Sequence, residues 1–144
     1  MTTLEDLGSR GLLQEVELDR TAIARLMNDA QRHLQTAALA IVGGDRAGAY
    51  QIAYDAARKA LTAMLLSRGL RARGVGAHLT LLEATRLSFR NAEGIDALDR
   101  FDRMRRTRNQ AEYIGRDFDE DEVAHDVGIA TSVVVLAGRV LADL

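Results

Sequence analysis

Apolar side chains recur every three to four residues along most of this chain, which is the spacing of amphipathic helices. The pattern predicts four long helices, a less regular fifth helix, and one or two helical turns at the N-terminus. The long helices are expected over about 19–42, 46–68, 93–113 and 119–144, the fifth helix over 77–89, and the short turns over 3–10.

Acidic residues and glycines mark the ends of these segments. Asp19, Asp45 and Asp119 stand where helix N-caps are expected, since an aspartate side chain accepts hydrogen bonds from the free N–H groups of a first turn. The stretch Leu70–Gly76 holds two arginines and two glycines and is expected to be a loop. Because the connections are short, neighbouring helices should run antiparallel, and the predicted fold is an all-α, antiparallel up-and-down bundle of four to five helices.

The chain is expected to hold one bundle, over 19–144, preceded by an N-terminal extension over 1–18 that contains the short helix. Val133–Leu136 are four consecutive apolar residues, so the last helix is apolar on more than one side. This helix is therefore predicted to be central in the bundle or to face a partner.

Composition supports the helical prediction and excludes several classes of protein. Alanine and leucine are the two commonest residues, aromatic residues make up 4%, and there is no Pro and no Cys. Without cysteine, disulfides and thiol catalysis are excluded. The start of the chain lacks a secretory pattern, and the longest apolar run, within Ile129–Gly138, is short for a membrane span. We expect a cytoplasmic protein that is not inserted in a membrane.

Charge is unevenly distributed although the formal net charge is only −2. Residues 58–108 hold 12 basic and 5 acidic side chains, whereas residues 109–144 hold 2 basic and 8 acidic ones. The two regions could attract each other across the bundle, which the near-neutral total favours. The alternative is a basic surface for phosphate. Its arginines would be Arg71, Arg73, Arg103, Arg105, Arg106 and Arg108.

The predicted helix over 93–113 changes character along its buried face. Projecting that face forward from its apolar first half brings it onto four polar residues, which are Arg105, Arg108, Asn109 and Glu112. A buried arginine needs partners for its donors. The pattern therefore indicates a site, a subunit interface or an internal salt-bridge network, of which Arg108 with Glu112, one turn apart, is the simplest form.

Other arrangements that support catalysis or metal binding are not indicated. His33, His78 and His125 lie on separate segments without the spacing of metal ligands, so no metal site is expected. The glycines of 69–76 match neither a P-loop nor a dinucleotide fingerprint, and no cofactor is expected.

The segment Arg105–Tyr113, with sequence RRTRNQAEY, resembles the signature of HEPN domains, which are small helical-bundle proteins. The family pattern is an arginine, four to six residues, and then a histidine, often with a polar residue directly after the arginine. Arg108-Asn109 matches its first part, and Tyr113 stands where the histidine is expected, as in family branches that end in an acidic residue and tyrosine. Ala49–Leu61 and Gly76–His78 also resemble family segments, so the resemblance covers about 20–140.

The resemblance implies a homodimer in which the two arginine-containing helix ends line a shared cleft. Many family members are metal-independent ribonucleases, act as toxins or in phage defence, and are encoded beside a minimal nucleotidyltransferase that serves as antitoxin. The resemblance assigns catalytic positions to Arg108, Asn109 and Tyr113, and binding positions to Arg105 and Glu112.

Tyr113 departs from the family pattern at the position of the proton-transferring histidine. Tyrosine has an ordinary pKa near 10, so it is a poor general base at neutral pH. The expected function is therefore binding of RNA or a nucleotide in the dimer cleft, with weak or absent nuclease activity. Two alternatives stay open, namely an active ribonuclease toxin in which Tyr113 replaces the histidine, and a non-catalytic dimerisation or scaffold module.

Overall fold

The computed structural model describes residues 2–113 and 117–144, except for the side chains of 111–113. The described chain is a bundle of six helices with a small two-stranded sheet, which confirms the all-α prediction. In chain order the elements are α1 (Leu4–Ser9), β1 (Leu13–Glu15), α2 (Arg20–Val42), α3 (Arg46–Leu66), β2 (Leu70–Ala72), α4 (Ala77–Ser88), α5 (Ala97–Tyr113) and α6 (Glu120–Val140).

Aspartate side chains start the three longest helices, as the sequence predicts. Asp19 accepts a hydrogen bond from the Ala22 amide at 3.0 Å, and Asp45 accepts one from the Gly48 amide at 2.9 Å. Asp119 accepts from the amide of Asp121 at 2.8 Å, and the Glu122 amide lies 3.4 Å away. These bonds satisfy N–H groups that have no partner inside the helix, which explains why each helix begins where it does.

The core is built around α3, which packs against α2, α4 and α6. Helix α3 combines six fully buried alanines with Leu61, Met64 and Leu65. Small side chains let neighbouring helices approach closely, while the larger ones fill the space between them. Helix α6 is the second wall, since it contacts α2, α3 and α5, and it leaves Val135 half-exposed. The alanines are Ala49, Ala53, Ala56, Ala57, Ala60 and Ala63.

The prediction of a loop throughout Leu70–Gly76 was wrong for its first three residues, which form β2. Strand β2 pairs antiparallel with β1, with Gln14 opposite Arg71 in register. The Val16 amide also donates to the Gly69 carbonyl at 2.9 Å. A three-residue strand is too short to show alternation, and its partner lies more than fifty residues away, so local pattern could not reveal it. The pairing attaches the N-terminal segment to the bundle.

Helix α5 begins at Ala97, four residues later than predicted. The preceding residues form tight turns around Gly94, whose φ of +88° is a conformation that favours glycine. Arg139 of α6 donates to the Glu93 carbonyl at 3.2 Å and holds this turn against the bundle.

By length and composition, α6 is long and apolar enough to cross a membrane, although its longest uninterrupted apolar run is short. Eight of its residues are buried against the other helices.

Candidate functional site

Arg108 is the centre of a buried ion-pair network between α5 and α6. Only 3% of the residue is exposed. Its Nε donates to Asp126 at 2.6 Å, and its Nη1 donates to Glu122 at 2.9 Å. The prediction that Arg108 is buried and bonded to an acidic partner is confirmed, and both of these partners lie on α6.

The start of α6 and the residue before its cap hold this network in place. The Asp119 cap fixes the first turn of α6, and Glu122 and Asp126 then lie one turn apart on the face toward α5. The Phe118 ring lies against the Arg108 guanidinium, whose central carbon is 4.9 Å from the ring centre. A guanidinium over an aromatic ring gains a cation–π attraction in addition to its ion pairs.

The pKa shifts of the pair have different causes. Burial raises the pKa of Asp126, and so does the like charge of Glu122, while Arg108 and His125 lower it too little to compensate. Burial disfavours the charged form of Arg108, but Asp126 and Glu122 together outweigh it and raise its pKa. Arg108 interacts with two carboxylates, whereas Asp126 has one guanidinium and one neighbouring carboxylate. The arginine is therefore the firmly charged member of the network.

The network forms part of the wall of a cleft of about 410 Å³ between α5 and α6. The polar lining adds Arg100, Arg103 and His125 to the ion-paired residues, and Met104 and Ile129 supply apolar surface. Arg100 also pairs with Asp96 at 2.6 Å, whereas Arg103 makes no ion pair with any described residue. The three arginines and two carboxylates of the lining together contribute a net charge of +1. The cleft can therefore accept an anion whose charge is met chiefly by Arg100 and Arg103.

The other candidate motif residues from the sequence do not join Arg108 in the described lining of the cleft. Arg105 is on α5 but is not among the residues that line the cleft, and it pairs with Asp102 at 3.0 Å. Asn109 is exposed to solvent, so the prediction that it lies on the buried face was wrong, since that face follows Phe101, Met104 and Arg108. Glu112 and Tyr113 are positions of α5 whose side chains lie outside the described part of the chain, so their proposed roles stay predictions.

The sequence indicates Arg103 as a candidate phosphate contact, but it does not indicate Arg100 and His125 as cleft residues. A signal was present, because Glu122, His125, Asp126 and Ile129 follow the spacing of one helical face. His125 lacks the spacing of a metal ligand, but it lies beside two carboxylates on that face.

The model of the HEPN domain family matches residues 23–140 of this chain. Neither the curated proteins nor the solved structures gave a match. The matched range contains the whole of α3, α4, α5 and α6, and with them every residue of the cleft.

Proposed function

Because the chain belongs to the HEPN domain family, we propose that it binds RNA or a nucleotide in the α5–α6 cleft, with weak or absent nuclease activity. The observation that carries the proposal is the placement of the motif arginine. Arg108 is buried and fixed by two carboxylates in the wall of a cleft that also holds Arg100, Arg103 and His125.

The division of charge in the cleft suggests how a phosphate would be bound. The charge of Arg108 is already balanced by Asp126 and Glu122, so this arginine orders the wall and leaves little charge for a ligand. Arg103 has no ion pair among the described residues and lines the same cleft. Arg103 is therefore the proposed primary phosphate contact, and Arg100 supports it.

Weak or absent cleavage follows from the sequence at position 113. The family motif supplies a histidine for proton transfer, and this chain has Tyr113 there. A phenol holds its proton at neutral pH, so it can donate a hydrogen bond to a phosphate but is poorly suited to activate a ribose hydroxyl.

The proposed setting is a cytoplasmic toxin–antitoxin or defence system. One proposed partner is a second copy of the chain, which completes the cleft. The other is a minimal nucleotidyltransferase that serves as antitoxin. These features come from the family resemblance. The exposed apolar side chains Leu39, Val42 and Val135 are compatible with a subunit contact.

The test compares Arg103→Gln with Arg106→Gln, which makes the same charge change one turn along α5. Arg106 is exposed and does not line the cleft. Calorimetric titration with adenosine monophosphate and with a short single-stranded RNA would measure both affinities. We expect Arg103→Gln to weaken both about tenfold, the loss of one charge-assisted hydrogen bond.

We expect Arg106→Gln to retain both affinities within about twofold, because Arg106 pairs with Asp102 and does not line the cleft. Equal losses in the two variants would show that net charge alone governs binding. Unchanged affinities in Arg103→Gln would contradict the cleft as the binding site.

A second candidate function, metal-independent ribonuclease activity, is favoured by His125. Imidazole is the side chain suited to exchanging protons near neutral pH, and His125 lines the same cleft as Arg108. RNA cleavage in the presence of a metal chelator, lost in His125→Asn and kept in His78→Asn, would support this function over binding alone.

A further inference from the structure

A second concave surface, the groove between α2 and α3, carries positive charge that the α5–α6 cleft does not involve. It has a volume of about 720 Å³, and its lining includes Arg32 and His33 from α2 and Tyr54, Asp55 and Arg58 from α3. None of these residues lines the α5–α6 cleft.

Two basic groups, Arg58 in the groove lining and Lys59 beside it, share the carboxylate of Asp55. Asp55 accepts from Arg58, whose Nε lies 3.1 Å away, and from Lys59, whose Nζ lies 3.2 Å away. Lys59 also lies 2.6 Å from Nε2 of His33. Because an ammonium group has only donors, this imidazole nitrogen acts as the acceptor.

The pKa of Asp55 reflects the excess of cations around it. Partial burial acts to raise it, but hydrogen bonds and charges of Arg58 and Lys59 outweigh burial and lower the pKa. Asp55 therefore stays ionised and offsets one of the two cations. Arg32 is exposed, adds a further cation, and makes no ion pair with any described residue.

The groove also holds an aromatic ring with an available hydroxyl. Tyr54 is stacked on Phe101, with ring centres 5.3 Å apart. Burial raises the pKa of Tyr54 despite the opposing charges of Arg105 and Arg58, so its hydroxyl is a donor at neutral pH. Among the described residues this hydroxyl has no hydrogen-bond partner. Cations interspersed with an aromatic ring are the features that bind single-stranded nucleic acid.

We infer that the α2–α3 groove is a binding site for the phosphate backbone of single-stranded RNA, separate from the α5–α6 cleft. Arg32 and Arg58 contact successive phosphates, and Tyr54 contributes its hydroxyl and part of its ring. This inference does not depend on the proposed role of the cleft. The ligand is RNA rather than an acidic protein segment, because the bases of RNA can stack on an aromatic ring.

The experiment measures binding of a fluorescent single-stranded RNA of about 12 nucleotides, within the site sizes of such surfaces. The groove variant is Arg32→Gln with Arg58→Gln, and its control is Arg10→Gln with Arg90→Gln, which removes the same charge outside the groove. We expect about a tenfold loss in the groove variant. The slope of log affinity against log salt concentration should become shallower by about 1.4, since each phosphate contact on a single strand contributes about 0.7. The control should lose less than about twofold.

Two further variants keep the test decisive if the double variant folds poorly. Arg32→Gln alone alters an exposed side chain and should still weaken binding. Asp55→Asn removes the only carboxylate in the groove lining and should strengthen RNA binding severalfold, an effect that loss of structure would not produce. Equal losses in groove and control variants, or weaker binding in a folded Asp55→Asn protein, would overturn the inference.

The two proposals fail in different ways. Adenosine monophosphate is too short to span both surfaces, so its binding in the cleft should be unchanged in the groove variant. If Arg103→Gln loses RNA and the groove variant does not, the groove is not a binding site although the cleft is. If the groove variant loses RNA while Arg103→Gln loses neither RNA nor adenosine monophosphate, the cleft proposal fails and the groove inference stands.

Discussion

At the scale of the residue, Arg108 shows how one side chain can be both buried and charged. Two carboxylates from α6 and the face of Phe118 replace the water that its guanidinium would otherwise bind. An arginine whose charge is balanced in this way holds α5 and α6 in fixed positions relative to each other. Its contribution to ligand binding would then come through the position of the cleft wall.

The first prediction concerns the stability of this network. Replacing Arg108 by Ala leaves Asp126 buried without its cation, and we expect the free energy of unfolding to fall by about 3–5 kcal/mol. The double variant Arg108→Met with Asp126→Leu removes both charges and should recover most of that loss. Urea denaturation followed by circular dichroism measures both. A loss below about 1 kcal/mol in Arg108→Ala would show that the ion pair is not a structural element.

The second prediction concerns Tyr113. Tyr113→His restores the arginine–histidine spacing of the family motif, and we expect it to gain RNA cleavage relative to a wild type with little or none. Tyr113→Phe keeps the ring and removes only the hydroxyl, so it should remain inactive. Gel analysis of a labelled RNA in chelator gives the result. Robust cleavage by the wild type, lost in Tyr113→Phe, would show that the tyrosine itself supports catalysis.

At the scale of the element, α6 organises the site through its first two turns. Its cap, Asp119, sets the position of Glu122, and Glu122 with Asp126 then receives Arg108 from α5. Arg46 at the start of α3 donates to the Phe118 carbonyl at 3.2 Å, which joins a third helix to the same corner. The remainder of α6 is core, so one helix both stabilises the bundle and forms a wall of the cleft.

The third prediction tests this cap. Asp119→Ala removes the acceptor for the first-turn amides, and we expect the free energy of unfolding to fall by about 1 kcal/mol. Asp117→Ala is the matched control, because it makes the same charge change at an exposed residue outside α6. Equal destabilisation of the two variants in urea denaturation would argue against a capping role for Asp119.

At the scale of the whole molecule, the charge asymmetry of the chain is partly internal. The basic region, residues 58–108, contributes Arg108, and the acidic region, residues 109–144, contributes Glu122 and Asp126. The two regions therefore attract each other across α5 and α6. Other arginines of the basic region line the cleft or the groove instead. The alternative of a basic surface for phosphate stays a prediction, and of its six arginines only Arg103 and Arg108 line the cleft. The division into an extension over 1–18 and a bundle over 19–144 stays a prediction.

The fourth prediction is that the protein is a homodimer. The family motif places its arginine helix in a cleft shared by two copies, and apolar side chains such as Leu39 and Val42 are exposed. We expect sedimentation equilibrium at micromolar concentration to give twice the chain mass of 15.7 kDa. A single species at the chain mass would contradict the homodimer. In that case the Val42→Asp variant, which places a charge on this apolar surface, should sediment like the wild type.

The sequence by itself determined the helices, most of their limits and the burial of Arg108, because helical periodicity and capping depend on residues within a few positions of each other. It also determined the family, through Arg108-Asn109 and the alanine-rich α3. Only the tertiary structure decided that Arg108 pairs with Glu122 and Asp126, that β1 pairs with β2, and that Arg103 and His125 share a cleft. Those contacts join residues far apart in sequence, and their geometry depends on how the helices pack rather than on any local pattern.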